Sequence, residues 1–460
     1  MQKIEALLTK IPDYIYKIND TFLSNKFEIY FVGGCIRNLL LGKEIKDWDF
    51  TTNATPEQIL QLFPDGFYDN IFGTVGIPLT IGEDKIVVEV TTYRTEEGYS
   101  DSRHPEKVSW GKTIQEDLSR RDFTINAIAV SINLEKKITI VDPFDGQIDL
   151  QKRHIKAVGN ADERFKEDAL RLLRAIRFAT QLGFTIEDET LRAVTEDSHL
   201  LKNIAQERIH DEFLKIIGSE FPYDGIVLLR NTHLLDVFLP ELLEGIDVSQ
   251  SRPGRHHTTD VYTHNVLSLK FCPSVDPIVR FATLIHDIGK PKVAKKDADG
   301  YVIFHNHEIV GAKMAALICE RMKFSRKNKE KIVTLIRWHM FTVDEHITDS
   351  AVRRFIRRIG VENVQDMMDL RIGDRLGGGT QTAESWRLKL FKSRVEEQLA
   401  PAPFSINDLV IDGNDLMKEL NIKPGRKIGE ILKVLFEEVD EDLSKNTKEF
   451  LIKRAHELSS

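Results

Sequence analysis

A chain of 460 residues exceeds what one hydrophobic core supports, so about two to four domains are expected. Apolar residues make up 41% and charged residues 30%, an ordinary globular composition, and no run approaches the roughly 18 consecutive apolar residues of a membrane helix. The net charge of -8 argues against a uniformly basic surface that wraps long nucleic acid, but it leaves room for a local basic groove. Residues 1–20 mix Lys, Glu and Asp through short apolar pieces and lack the pattern of a secretion signal, so a cytoplasmic location is expected. Cys35, Cys272 and Cys319 are too few and too scattered for a disulfide framework or a thiolate metal cage.

A helix is expected before residue 25. Over residues 26–150, β-rich runs (Phe27 to Val32, Trp48 to Thr51, Ile86 to Thr92, Ile138 to Val141) alternate with short helical patterns, which predicts a mixed α/β domain. Gly33-Gly34 follows the first run and opens a short helix from Cys35 to Leu41, with Arg37 in its first turn; such a turn lets backbone N–H groups approach a phosphate. By itself a Gly-Gly pair is only a tight turn. Asp47-Trp48-Asp49 then starts an apolar run. In a strand, side chains two apart share a face, and two adjacent carboxylates repel unless cations such as a pair of Mg²⁺ ions sit between them. An isolated Asp-x-Asp would instead be a solvated strand end, but the glycine turn and arginine upstream favour metal. Thr55-Pro56-Glu57-Gln58 is a structural helix start. Glu89, acidic within Ile86 to Val90, is either a third catalytic carboxylate or the partner of a nearby arginine. The polar stretch from Tyr93 to Pro105 predicts a mobile loop.

From about residue 155 strand signals thin out and helical spacing takes over, as in Leu170, Leu173, Ile176 and Ala179. Asp168 and Arg171, three apart on a predicted helix, combine an acceptor with a planar donor fork and together can imitate a base-pairing edge; the alternative is an ordinary surface ion pair. Arg174 and Arg177 continue the basic face. Breaks at residues 249–254 and at Pro401-Ala-Pro403 mark candidate boundaries around a region that holds His264, His286-Asp287, His305, His307, His339 and Asp374. Histidines and carboxylates on helices without sulfur suit Mn²⁺, Fe, Ni²⁺ or Mg²⁺ and activation of water beside a phosphate, although any one buried histidine is otherwise a satisfied core residue. His256-His257 carry no assignment. Near the end, Lys423-Pro-Gly425-Arg426 precedes a helix from Ile428 to Val439 and reads equally as a phosphate-holding turn or a plain turn.

Gly33-Gly34-x-x-Arg37 with Asp47 and Asp49 resembles the head motif of the DNA polymerase β superfamily. Arg120-Arg121-Asp122-Phe-Thr-Ile-Asn126, Asp142-Pro-Phe-Asp145-Gly146 and Glu167-Asp168-Ala-Leu-Arg171-Leu-Leu-Arg174 resemble, in order and spacing, the following motifs of bacterial class II tRNA nucleotidyltransferases. The resemblance, over residues 25 to 215, implies an α+β multidomain protein. A polymerase-β-like head with a mixed sheet and helices (26–150) would follow an N-terminal helix (1–25). A nucleotide-selecting neck (151–220), a helical body (221–400) and a helical tail (401–460) would complete it. It implies Asp47, Asp49 and Glu89 as catalytic carboxylates holding Mg²⁺. It further implies nucleotide contacts from Gly33, Gly34, Arg37, Arg121, Asp122, Asn126, Glu167, Asp168, Arg171 and Arg174, with tRNA, CTP and ATP as substrates. The stretch 93–105 has the character of the loop in members that add the terminal A. Asn38 departs from the family's usual Asp. Residues 255–380 resemble the HD phosphohydrolase superfamily, with His264, His286, Asp287 and Asp374 at the signature ligand positions and His307 and His339 at those of fuller versions. A specialist that adds only A, a poly(A) polymerase, and an HD hydrolase with an RNA-binding head are the alternatives.

Overall fold

The computed structural model describes residues 11–99, 105–399 and 405–459, apart from 46, 71–72, 251–258, 342–343 and 345. Its chain divides into two compact units, one of Met1–Leu243 with Arg321–Phe324 and one of Glu244–Glu320 with Ser325–Ser460.

The first unit opens with helix α1 (Asp13–Ser24), whose buried Ile15, Ile18 and Phe22 give it one apolar face. A seven-stranded mixed sheet follows, built from β1 (Ile29–Val32), β2 (Asp49–Thr52), β3 (Phe67–Asn70), β4 (Thr74–Ile81), β5 (Asp84–Thr92), β8 (Ala129–Ile132) and β9 (Ile138–Val141) in the order β3-β4-β5-β2-β1-β8-β9. Only β2 and β5 run parallel; the other pairs are antiparallel. Phe31 and Phe50 are register partners on the covered face, their ring centroids 4.5 Å apart. On the other face the register places Asp49 beside Glu89, Glu89 beside Gly76 and Gly76 beside Phe67. Helix α2 (Gly34–Leu41) leaves β1 through Gly33, whose φ of 73° is open to glycine at no steric cost. Helix α3 (Pro56–Leu62) has the predicted capping box between Thr55 and Gln58.

The polar stretch from Tyr93 is not simply a loop. Its arms pair antiparallel as β6 (Arg94–Tyr99) and β7 (Pro105–Trp110), while residues 100–104 lie outside the described set. Ladder hydrogen bonds belong to the backbone, so a polar composition conceals them. The helical half of the unit contains α4 (Ile114–Ser119), α5 (Gly146–Lys152), α6 (Ala161–Glu167), α7 (Leu170–Leu182), α8 (Asp188–Glu196), α9 (Gln206–Ile217) and α10 (Pro222–Asn231). The predicted single helix through Glu167, Asp168 and Arg171 is two. Asp168 sits between α6 and α7 with extended φ/ψ of -141° and 103°, and its Oδ1 accepts from the Leu170 N–H at 3.0 Å, competing with helix continuity.

The second unit is helical among its described residues apart from one short hairpin (Lys295–Lys296 with Val302–Ile303) and an isolated bridge. Its helices include α11 (Val261–Phe271), α12 (Pro277–Leu284), α13 (His307–Arg321), α14 (Arg326–Trp338), α15 (Asp349–Ile359), α16 (Val364–Gly377), α17 (Trp386–Leu399), α18 (Gly413–Leu420), α19 (Arg426–Glu441) and α20 (Lys448–Ser459). Helices α18 to α20 enclose a core of their own, including Leu416, Ile431, Leu435, Val439 and Leu451. Buried Asp440 of α19 accepts from Arg353 Nε and Arg357 Nη2 of α15, both at 2.7 Å, which ties that core to the preceding helices. Of the expected break at 249–254, residues 251–254 lie outside the described residues, as do the break at 401–403 and His256-His257.

Candidate functional site

A polar cleft of about 540 Å³ in the first unit is lined by Gly33, Gly34, Arg37, Asp49, Arg120, Arg121, Asp122, Asn126, Asp168, Arg171, Arg174, Arg177, Phe178 and Arg208, among others. Motif residues from four sequence segments therefore meet in one concavity, joined by Arg208. Asp49 begins β2 and is half-buried; Asp47 precedes the strand and is exposed, so the two are not successive same-face positions of one strand. They still act on each other: burial and then the Asp47 charge raise the Asp49 carboxyl, while Arg121 and Arg37 oppose the rise. Glu89 stands next to Asp49 across the sheet and is exposed, so the expected burial penalty does not arise. Gly33 lies between the groups that matter, since a Cβ there would stand 3.2 Å from Arg121 Nη1 and 3.8 Å from Asp49 Oδ2.

Behind the cleft wall the arginines are held by carboxylates and amides. Arg37 donates to Asn126 Oδ1 at 2.8 Å and to Asn38 Oδ1 at 3.2 and 3.1 Å; burial brings its pKa down to about 10. The departure at Asn38 thus keeps the acceptor and removes its charge. Asn126 donates to Asp122, which pairs with Arg174 at 2.5 Å. Burial works against the Asp122 charge, yet Arg174 and Arg171 outweigh it and hold the carboxyl at about 2. Gly146 packs against this segment: a Cβ would meet the Thr124 carbonyl oxygen at 2.2 Å, so no larger residue fits, and Asp142 accepts from its N–H at 2.7 Å.

Asp168 and Arg171 both line the cleft but are not each other's partners. Arg171 pairs with Glu167 at 2.6 Å and donates to the Arg120 carbonyl at 3.0 Å, whereas Asp168 pairs with Arg208 of α9 at 2.9 Å. Each is preset by a different neighbour. Sequence reasoning missed Asp117, fully buried and bonded to Arg120 at 2.6 Å and Arg121 at 3.1 Å; its position three and four residues ahead of them was the available signal. It also missed Arg208 and Phe178, over whose ring the Arg37, Arg174 and Arg177 guanidiniums lie at 5.2, 5.3 and 4.3 Å.

The second unit brings its histidines and aspartates together as expected. His264 Nε2 lies 3.3 Å from Asp287 Oδ2 and 3.3 Å from Asp374 Oδ1, and His286 Nε2 lies 3.3 and 3.6 Å from the same oxygens. His307 and His339 approach the other oxygen, Asp287 Oδ1, at 3.2 and 3.6 Å. Two ligand atoms about 2.1 Å from one cation are at most about 4.2 Å apart, so these are coordination spacings. The Nδ1 atoms of His286, His307 and His339 lie 2.7 to 2.8 Å from the carbonyls of Thr283, Phe304 and Ile336. A carbonyl only accepts, so each Nδ1 is the protonated nitrogen and each Nε2 directs its lone pair inward. A cleft of about 420 Å³ reaches this cluster past Gln250, Lys290, Phe304, His305, Met340 and Arg371; Lys290 sits 2.5 Å from Asp287 and Arg371 3.0 Å from Asp374. Lys290 stands three residues after Asp287 and Arg371 three before Asp374, the same kind of spacing signal that was available for Asp117.

Residues 29–156 match the family model of the poly A polymerase head domain, 183–245 that of an RNA and SrmB-binding site of polymerase A, and 302–455 that of tRNA nucleotidyltransferase domain 2. The CCA-adding enzyme of Lactococcus lactis is 31% identical over 95% of this chain and 96% of that protein, and that of Ligilactobacillus salivarius 32% over 98% of each. The CCA-adding enzyme of Geobacillus kaustophilus is 41% identical over 49% of this chain, and the match spans about half, 54%, of that relative's length. The fold is shared with the Bacillus stearothermophilus CCA-adding enzyme in complex with CTP (TM-score 0.71, 23% identity, 100% of this chain and 97% of that one). It is shared as well with the Thermotoga maritima CCA-adding enzyme complexed with tRNA (TM-score 0.60, 19% identity, 99% and 98%). An arginine-lined cleft beside paired carboxylates, on a sheet and helices of this order, accompanies relatives that match along their whole length: the chain is a nucleotidyltransferase and belongs to the bacterial class II CCA-adding enzyme family.

Proposed function

We propose that this protein adds CCA to the 3′ end of tRNA from CTP and ATP without a nucleic-acid template, in the cytoplasm. The observation that carries the reading is the single cleft in which Asp49 meets Arg37, Arg121, Asp168 and Arg171. Asp47 and Asp49, with Glu89 beside them, would hold Mg²⁺, whose charge offsets that of the triphosphate and the attacking hydroxyl. Arg37 and Arg121 would grip the triphosphate. Asp122 and Asn126 position Arg174 and Arg37 from behind, and Glu167 sets Arg171 so that, with Asp168, it reads the base edge of the incoming nucleotide. Catalysis then rests on positioning and electrostatics, with no covalent intermediate. The segments 26–150, 151–220, 221–400 and 401–460 would act as head, neck, body and tail, the turn at Lys423 to Arg426 touching RNA phosphate.

The test is extension of three matched tRNA transcripts, ending before C, after CC and after CCA, with CTP, ATP or both in Mg²⁺. Completion of the first and arrest on the third support CCA addition. Extension of the CC-ended transcript alone marks an A-adding specialist, unlimited ATP incorporation a poly(A) polymerase, and no extension defeats the reading.

A second activity is favoured by the convergence of six buried or nearly buried ligands. His264, His286, Asp287 and Asp374 would hold a divalent cation (Mn²⁺, Ni²⁺, Fe or Mg²⁺): ligand atoms of His264, His286 and Asp374 lie within 4.8 Å of one another, as do those of His286, Asp287 and His339, and His307 and His339 share the other Asp287 oxygen. We infer a metal-dependent phosphohydrolase acting on a phosphate monoester or 2′,3′-cyclic phosphate, with Lys290 and Arg371 toward the phosphate. Phosphate release from such ends that does not respond to Mn²⁺ or Ni²⁺ would count against it.

A further inference from the structure

The open face of the head sheet carries an apolar shelf that the cleft chemistry does not use. Phe67 is 45% exposed, yet its ring is not loose: a Cβ on Gly76 would come within 2.6 Å of its Cζ, so the ring lies against the bare backbone of β4. Gly76 is in register with Glu89, and Glu89 with Asp49. Register partners project to one face and strands stand about 4.8 Å apart, so the ring lies roughly one strand spacing from Glu89, on the carboxylate side. Exposed Pro78 and Val87, themselves register partners, extend the shelf on that face, and exposed Lys85 lies beyond them.

We propose that Phe67 is the stacking platform for the 3′-terminal base of the RNA being extended. This rests on the nucleotidyl-transfer reading above. The attacking hydroxyl must reach Asp49 and Glu89, so the base of the same nucleotide lies within one nucleotide's reach of them, where this ring presents an open face. Stacking suits the task because every base has a π-face, and the end that is extended changes with each addition. A hydrogen-bonding pocket would have to recognise a different edge each time. Gly76 lets the ring lie flat.

Steady-state kinetics on the full-length protein with the three transcripts test this. Phe67→Ala is expected to raise the KM for RNA about tenfold or more on every extendable end, the size of a lost base–aromatic stack, with the KM for CTP within about twofold. Phe67→Trp should restore RNA affinity, and Phe67→Leu should not. Gly76→Ala, which pushes the ring away without removing it, should reproduce the Phe67→Ala defect. Should Phe67→Ala unfold, as judged by its thermal melt, Phe67→Leu and Gly76→Ala decide the matter. An unchanged KM for RNA, or a Leu variant as good as Trp, overturns the platform while a normally active wild type leaves the transfer reading intact. A wild type that extends no tRNA defeats both.

Discussion

The cleft of the first unit gathers seven arginines around two half-buried aspartates, Asp49 and Asp168, with further counter-carboxylates set behind them, whereas the second unit encloses two carboxylates within a cage of four imidazoles. In the cleft, Asp117, Asp122 and Glu167 spend their charge fixing guanidinium directions, and the open side faces an anion with more donors than acceptors. In the cage, three Nδ1–H groups are tied to backbone carbonyls, so the interior has an excess of lone pairs and calls for a cation. Similar residue types serve opposite ligands because their partners differ.

The sharpest way to break that comparison is to remove one anion from each centre. Asp49→Ala should reduce nucleotide addition on the order of 10³-fold or more, at least what loss of a transition-state donor costs, and leave metal-dependent phosphate release unchanged. Asp287→Ala should do the reverse, as read by the tRNA extension and phosphate-release assays in parallel. Loss of both activities in either variant would show that the centres are not independent.

Asp440 offers a buried pair that belongs to neither centre. Asp440→Ala leaves Arg353 without its counter-ion and should cost about 3–5 kcal/mol, seen as a lower midpoint in urea. Burial opposes its charge, but Arg357 and Arg353 hold the carboxyl below its ordinary value. A depressed carboxylate stabilises above its unfolded pKa of about 4, and that contribution disappears as the pH falls through the folded value. Asp440→Asn should therefore flatten the acid limb of the stability profile below about pH 4 and lower the plateau above it.

Arg171→Lys retains charge but loses the planar fork set by Glu167 and the Arg120 carbonyl. Discrimination of CTP over UTP should fall on the order of 10²-fold, with a smaller change in the KM for RNA, measured from competing kcat/KM values. The smallest effect is expected at Asn38. Asn38→Asp turns a neutral acceptor of Arg37 into an anion, which should draw that guanidinium from the triphosphate and raise the KM for CTP about two- to fivefold.

The residue types of both centres could be read in advance because their chemistry demands them at short spacing. Asp47 and Asp49, the run from Arg120 to Asn126, and His286-Asp287 stand out for that reason, as does the capped helix at Thr55. Partner choice was another matter. Asp168 and Arg171 looked like a pair three residues apart, but an extended backbone at Asp168 hands it to Arg208, 40 residues on, and leaves Arg171 to Glu167. Arg174 meets Asp122 across 52 residues, and Asp287 turns one oxygen to His264 and the other to His307. The hairpin arms after Tyr93 and the seating of Phe67 on Gly76 were equally hidden. Local spacing limits which side chains share a turn or a strand face, while the burial of distant segments against one another selects which of the available partners each charge receives.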